Sequence, residues 1–396
     1  MELPAGFVNE MLRLLMPDEY ARFAAAMDLP CPVSIRVNPN KMSTEVWEDL
    51  QANLNLDERE RVPWCPDGFY LASRPVFTLD PLLHAGAYYV QEASSMFVAH
   101  LINIYVGSRP VRALDLCAAP GGKSTLLEAM LPKGSSLTCN EVVAKRARIL
   151  RENMTKWGGA NVEVTSREAA AFARMGAQYD FILCDVPCSG EGMMRKDDEA
   201  RAQWSEQLVD VCSRRQRDIV AGIWPCLAPS GIMIYSTCTY NTRENEANVA
   251  WIATELGADI LPVNAKAEWN IIGNLLPNAD FPCAHFMPHR VKGEGFFCAV
   301  VRKTQSRGGM QPSAANLSCR SEGVKHETTL SFTPSVPLSR STALHYLHGD
   351  AIRLPDGAPR GIVTVTYCGL PLGQAKNIGT RANNLYPKEW RIRRDV

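Results

Sequence analysis

Two cysteines in this chain stand where a thiol could do chemistry. Cys188 lies in Asp185-Val-Pro-Cys-Ser-Gly190 and Cys238 in Ser236-Thr-Cys-Thr239. Each follows an apolar, strand-like run and sits among turn residues. In an open α/β sheet the carboxyl ends of parallel strands face the ligand crevice. Two thiols placed there can divide one reaction: one attacks, and the other removes a proton or helps release the product. Burial is the ordinary state of a free cysteine. Cys31, Cys65, Cys139, Cys184, Cys212, Cys226, Cys283, Cys298, Cys319 and Cys368 are read that way.

A third segment bears on a cofactor. Leu114-Asp-Leu-Cys-Ala-Ala-Pro-Gly-Gly-Lys-Ser-Thr125 reads as a strand, a glycine turn and a helix start. A phosphate loop needs G-x-x-x-x-G-K-[ST], and Cys117 stands where its first glycine belongs. The dinucleotide pattern G-x-G-x-x-G is absent. An adenosyl ligand without a phosphate chain remains. Glu141, after the next strand, can accept hydrogen bonds from ribose hydroxyls. S-adenosylmethionine fits, with the turn backbone for its amino-acid moiety; read alone, Gly121 and Gly122 require no more than a tight turn.

A methyl donor and two thiols suit cytosine. Its C5 is too weak a nucleophile to take a methyl group directly. A thiolate adding to C6 makes the ring enamine-like, and C5 can then attack. A base must afterwards take the C5 proton so that the thiol can leave. Asp185, three residues before Cys188, is a candidate partner for the N3 edge of the base.

The elements that must position these groups follow from periodicity. Residues 5–27 read as one amphipathic helix, and 34–38 as a short strand. From 111 onward strands alternate with helices: strands at 111–117, 136–140, 161–165, 181–186 and 231–237, helices at 144–157, 207–226 and 243–256, and a late strand at 296–301. Such βαβ units imply a parallel sheet. Residues 304–339, rich in Ser, Gly, Pro, Thr and Asn, read as a linker, and 362–367 as a strand of a small final unit.

These residues resemble a known family. Leu116-Cys-Ala-Ala-Pro-Gly-Gly-Lys-Ser124, Asp185-Val-Pro-Cys-Ser-Gly-Glu-Gly192 and Tyr235-Ser-Thr-Cys-Thr239, with Asn245-Glu246 beyond, are similar to segments of RNA cytosine-5 methyltransferases of the Nop2/Sun family, closest to the bacterial 16S ribosomal methyltransferase F type. Gly369-Leu-Pro-Leu-Gly373 and Tyr386-Pro-Lys388 look like that family's small RNA-binding extension. The resemblance implies an α/β, Rossmann-like class I methyltransferase fold with a mostly parallel seven-stranded sheet. It divides the chain into an N-terminal α/β RNA-binding module (1–90), a methyltransferase domain (91–303), the linker (304–339) and a PUA-like RNA-binding domain (340–396). It implies S-adenosylmethionine along Cys117, Ala118, Ala119, Pro120, Gly121, Gly122 and Lys123, with Glu141 on the ribose and Asp185 on the cofactor or the base. Glu168 stands where the family has an Asp near the adenine. Cys238 would be the nucleophile and Cys188 the residue needed for release.

Composition bounds the partners. Forty-two basic residues balance 42 acidic ones, but residues 340–396 hold nine Lys/Arg against four Asp/Glu. That local excess, ending in Arg391, Arg393 and Arg394, suits a polyanion. Arg195, Lys196, His289 and Arg290 are further candidates for the RNA groove. The expected partner is ribosomal RNA or a ribosomal subunit, with transfer RNA second. The rivals are a catalytically silent assembly factor and a P-loop ATPase. Thirteen cysteines without a Cys-x-x-Cys point to a reducing, cytoplasmic setting and to no zinc site. No uncharged apolar run reaches the ~20 residues of a membrane span. A metal-free monomer is expected.

Overall fold

The computed structural model describes residues 2–56, 60–159, 161–304 and 333–396. The alternating segments build one large sheet in the order Val162–Thr165, Ser136–Asn140, Arg112–Asp115, Tyr179–Asp185, Leu227–Thr237, Phe296–Lys303, Ala284–Phe286. The first five run parallel, and Phe296–Lys303 is antiparallel to Leu227–Thr237. Helices cover both faces, so the strands are apolar on both sides. Leu114, Ile182 and Met233 face one core, Leu183 and Ile234 the other, all fully buried. Each such burial stabilises the sheet by about 1.5–3 kcal/mol.

Among the described residues the sheet has eight strands rather than seven. Ala258–Leu261 and Ala284–Phe286 pair with successive halves of Phe296–Lys303 and share one edge position. Strands of four and three residues are too short to show an alternating pattern in sequence.

From Arg112–Asp115 the chain winds outward to Ser136–Asn140 and Val162–Thr165, then returns to Tyr179–Asp185 on the other side. The order therefore reverses between Arg112–Asp115 and Tyr179–Asp185, the switch point where open α/β sheets bind ligands. The glycine turn follows one of these strands, the Cys188 loop follows the other, and Cys238 follows the strand beside it.

The N-terminal segment is two helices, Ala5–Leu14 and Pro17–Met27, not one. Pro17 drives the residue before it into extended backbone and lacks the N–H that would continue the first helix. Phe7, Met11 and Phe23 share a core with Trp204, Tyr240 and Met287 of the main unit. A three-stranded antiparallel sheet follows, with Val33–Val37 between Gly68–Leu71 and Tyr88–Val90. It shares a core with the C-terminal unit, Ile35, Leu50 and Phe77 joining Val336, Tyr346 and Val363.

Among the described residues the C-terminal sheet has four strands, Ser335–Pro337, Gly361–Tyr367, Leu370–Asn377 and Ala382–Asn384, with helix Arg340–His348 packed nearby. Its first strand falls inside the stretch read as a linker; only Val336 is buried there, between Ser and Pro, so no pattern betrayed it. Residues 305–332 of that stretch lie outside the described residues. Among the described residues no helix is long and apolar enough to cross a membrane.

Candidate active site

Asp115 ends its strand fully buried and accepts a hydrogen bond from Ser124 Oγ (2.7 Å), which closes the turn between them. Gly121 adopts φ +117°, a conformation open mainly to glycine. A Cβ there would lie 3.3 Å from Leu150 Cδ1. The outer side of the turn is held by neighbouring side chains: Asn153 Nδ2 donates to Pro120 O (2.7 Å), and Arg146 Nη2 to Ala119 O (2.8 Å). Arg146 also meets Glu141 at 3.2 Å, and Glu141 Oε1 accepts from Val143 N (2.9 Å).

Asp115, Glu141 and Asp185 surround this turn with negative charge. Burial, only partly offset by the Ser124 bond, pushes the Asp115 carboxyl up to about 7, and the other two carboxylates add to that. Burial and the same three acids raise the Cys117 thiol. Asp115 Oδ1 is buried without a hydrogen-bond partner. A ligand carrying an ammonium and a sulfonium fits such a cradle, and an unpartnered carboxylate oxygen is capacity for a donor. Glu168 is exposed before helix Ala169–Arg174 and makes no side-chain cap.

Lys123 ties the turn to the cysteine loops. Its ammonium lies 2.8 Å from Asp185 Oδ2, and Asp185 Oδ1 accepts from Ser236 Oγ (2.8 Å). Burial alone would lower the Lys123 pKa; the Asp185 carboxylate outweighs it, and negative charge on Cys238 adds to the net rise.

Cys188 Sγ and Cys238 Sγ are 3.2 Å apart, 50 residues from each other in sequence. Both are half-buried, and Cys238 N donates to Cys188 Sγ (3.4 Å). The hydrogen bond with Cys238, burial, and then the charges of Cys238 and Glu244 hold the Cys188 thiol well above the usual range. Between the loops Gly192 N donates to Cys238 O (2.8 Å), and a Cβ at Gly192 would come within 2.8 Å of Cys238 O and Gly295 O. Of the cysteines read as buried, Cys31 and Cys368 are half-buried, and Cys319 lies outside the described residues.

Several residues expected at an RNA groove serve the protein itself. Arg195 donates to Leu29 O, Pro30 O and Gly293 O, and Lys196 pairs with Glu294 at 2.6 Å. His289 and Arg290 both meet Glu19 of the second helix. These cations fasten the N-terminal helices and the Cys188 loop to the main unit. Sequence reasoning missed Arg146, Asn153, Ser236, Glu191 and Glu244, because each acts on a partner distant in the chain. The one available signal was the pair of acids following the two cysteines, Glu191 and Glu244. Among the described residues no group of three or more His, Cys, Asp or Glu is placed to hold a metal ion.

Three family models match in succession. They are the N-terminal domain of 16S rRNA methyltransferase RsmF over 3–93, 16S rRNA methyltransferase RsmB/F over 108–302, and the methyltransferase RsmF PUA domain over 333–392. Ribosomal RNA small subunit methyltransferase F of Cronobacter sakazakii is 31% identical over 472 aligned residues, covering 98% of this chain and 96% of that one. The protein of the same name from Pectobacterium atrosepticum is 34% identical over 318 residues. That match takes in 77% of this chain but 63% of the relative, so the chain spans less than two thirds of that relative's length. A methyltransferase homologue from Pyrococcus horikoshii superposes with a TM-score of 0.61 at 26% identity, covering 76% of this chain and 100% of that one. NSun6 from the same organism, solved with SFG, superposes with a TM-score of 0.64 at 20% identity over 76% and 98%, a likeness of fold. The fold is the Rossmann-like methyltransferase fold, and S-adenosylmethionine is its cofactor. With its central unit and both flanking units matched, the chain belongs to the RsmB/F family of 16S rRNA methyltransferases.

Proposed function

We propose that this protein methylates C5 of a cytosine in ribosomal RNA through a transient bond between Cys238 Sγ and C6 of the base. The observation that carries the reading is the 3.2 Å contact of two thiols beside the turn that follows Asp115. When bound, S-adenosylmethionine supplies an electrophilic methyl group. The turn from Cys117 to Lys123 and Glu141 would hold it, with Asp185 on its near side and Glu168 assigned to the adenine end.

The two thiols have opposite surroundings, which supports unequal roles. The Lys123 ammonium attracts negative charge on Cys238. Cys188 is held protonated at neutral pH, and its thiol is in hydrogen-bond contact with that of Cys238. Cys238 Sγ adds to C6 as the thiolate, which places electron density on C5. After C5 has gained its methyl group, a base removes the C5 proton. The C6–S bond then breaks and Cys238 regains its negative charge. Cys188 is assigned to this release, as the group that exchanges protons at the nucleophile. Asp185, fixed between Lys123 and Ser236, would face the N3 edge of the base.

A groove of about 570 Å³ offers a path for the RNA strand. Tyr89 and Trp390 give it flat faces for bases, and Lys156, Arg391, Arg393 and Arg394 oppose two carboxylates, Glu152 and Glu389. The target cytosine must be single-stranded or flipped, since C6 is not accessible within a stack.

Transfer of labelled methyl from S-adenosylmethionine to ribosomal RNA tests the reading. Cys238→Ala should abolish transfer, and Cys188→Ala should accumulate a protein–RNA adduct that survives denaturing electrophoresis. Full activity of Cys238→Ala would overturn the assignment. Bisulfite sequencing of ribosomal and transfer RNA from cells lacking the gene would identify the modified base.

A further inference from the structure

Behind the two thiols lie two buried carboxylates that the reaction above does not use. Glu191 and Glu244 are both fully buried, and their hydrogen-bond partners are all donors. Glu191 Oε2 accepts from Thr239 Oγ1, Tyr240 N (2.7 Å) and Asn241 N (3.0 Å); its Oε1 accepts from Trp204 Nε1 and Asn241 Nδ2, both at 3.0 Å. Glu244 Oε1 accepts from Ser189 Oγ (2.5 Å) and Asn241 Nδ2 (2.8 Å), and its Oε2 from Ser189 N (3.0 Å) and Gln216 Nε2 (2.7 Å). At Glu244 a protonated carboxyl would have to donate one bond into this set of donors, which favours the carboxylate. Burial and the neighbouring Glu191 act the other way and push Glu244 up to about 7.

The pattern is reciprocal. Glu191 belongs to the Cys188 loop, three residues past that cysteine, yet it grips Thr239, next to Cys238. Glu244 follows Cys238, yet it grips Ser189, next to Cys188, by both backbone and side chain. Asn241 Nδ2 touches both carboxylates. A turn bound only by its own backbone can slide by an ångström; one whose neighbour residue is bonded to a buried anion on the opposing loop cannot do so without exposing unmet donors. The brace is kept dry from the far side. Trp204, which donates to Glu191, packs edge-on against Phe7 of the first helix at 5.7 Å, and Gly6 abuts its ring.

We propose that Glu191 and Glu244 are positioning residues that cross-brace the two cysteine loops, each carboxylate standing on one loop and holding the residue beside the other loop's cysteine. The brace sets the contact between the thiols. It also places Glu244 behind Cys188, whose thiol it helps to hold protonated. The two arms have separable duties. Glu191 fixes the loop of the nucleophile, and Glu244 fixes the loop of the residue assigned to release. This division of duties rests on the function proposed above; the brace itself does not.

The test has two arms for that reason. In the free protein, iodoacetamide alkylation followed by peptide mass spectrometry reads each thiol without RNA or cofactor. Glu244→Gln should raise the Cys188 rate at least tenfold and change the Cys238 rate less than threefold. Fully buried Cys184 should remain unreactive and so report an intact fold. An unchanged Cys188 rate overturns the brace. Where Glu244→Gln fails to fold, Ser189→Ala removes part of the same grip without burying a new amide, and the same criterion applies.

In the second arm, with RNA and labelled cofactor, Glu244→Gln should lower kcat at least tenfold at unchanged KM and accumulate adduct. Glu191→Gln should lower kcat without adduct. Equal adduct levels in both variants overturn the division of duties. Absence of adduct in the Cys188→Ala control counts instead against the proposed chemistry, and the alkylation arm still decides the brace.

Discussion

The glycine turn and the cysteine loops lie at the same carboxyl end of neighbouring strands in one sheet, yet they are held in opposite ways. The turn is fastened from outside, by Asn153 and Arg146 reaching to its carbonyls, and its inner face keeps capacity to spare in the unpartnered Asp115 Oδ1. The cysteine loops are fastened from inside, by Glu191 and Glu244, whose oxygens are occupied by donors. The contrast fits what each region must do. A site that exchanges a ligand needs unmet hydrogen-bonding groups for the ligand to satisfy. A pair of reacting atoms needs every neighbour committed, because a small misplacement costs rate.

The comparison can be broken most sharply at Glu191. Glu191→Ala would strand the buried donors Trp204 Nε1, Tyr240 N and Asn241 N. At about 1–3 kcal/mol for each stranded group, the expected loss of stability is several kcal/mol. Arg146→Ala, which strips one fastening from the turn, should cost roughly 1 kcal/mol or less. Equal losses in denaturant melts would erase the distinction between the two regions.

Asp115 sharpens the other side. Its folded pKa of about 7 lies above the ordinary value of 3.8, so its contribution to stability is full below pH 3.8 and is lost as pH rises through 7. Wild type should therefore lose on the order of a few kcal/mol against Asp115→Asn between pH 4 and pH 8. Thermal melts across that range check it. Saturating S-adenosylmethionine should flatten the difference, since bound positive charge favours the carboxylate.

Gly192→Ala should leave cofactor affinity unchanged while reducing kcat, expected at about a hundredfold, because its Cβ would collide with the backbone oxygens of Cys238 and Gly295. Calorimetry for the cofactor and turnover on RNA separate the two. The smallest effect is expected far from both loops. Replacing Arg393 and Arg394 by Ala should weaken RNA binding, with single-turnover chemistry unchanged. The salt slope should fall by ~0.7 for each phosphate that the variant no longer neutralises. Filter binding at several salt concentrations reads this.

Much of the site was legible because its residue types are locally unusual. A Gly-Gly turn after Asp115 and two cysteines among turn residues stand out within their own short segments, and both positions do fall at the ends of parallel strands. What misled was also local. Residues 5–27 have a helical period, but Pro17 divides them. Residues 243–256 look helical, but Arg243, Glu244 and Asn245 precede the helix Glu246–Glu255, and Glu244 is spent on the brace. Arg195, Lys196, His289 and Arg290 stand out in sequence only as cations; nothing in their neighbourhood foretells Leu29 O, Glu294 or Glu19, the partners the fold gives them.

The sequence by itself determined the parts: strand-forming runs, the turns that end them, and which turns carry thiols, glycines and acids. These depend on side-chain shape and backbone freedom over a few residues. Only the tertiary structure decided that the sulfur atoms meet at 3.2 Å, that Glu191 and Glu244 exchange loops, and that the first helix covers Trp204. Those contacts join residues tens to hundreds of positions apart. They come into being when strand order reverses beside Arg112–Asp115 and brings the ends of Tyr179–Asp185 and Leu227–Thr237 side by side.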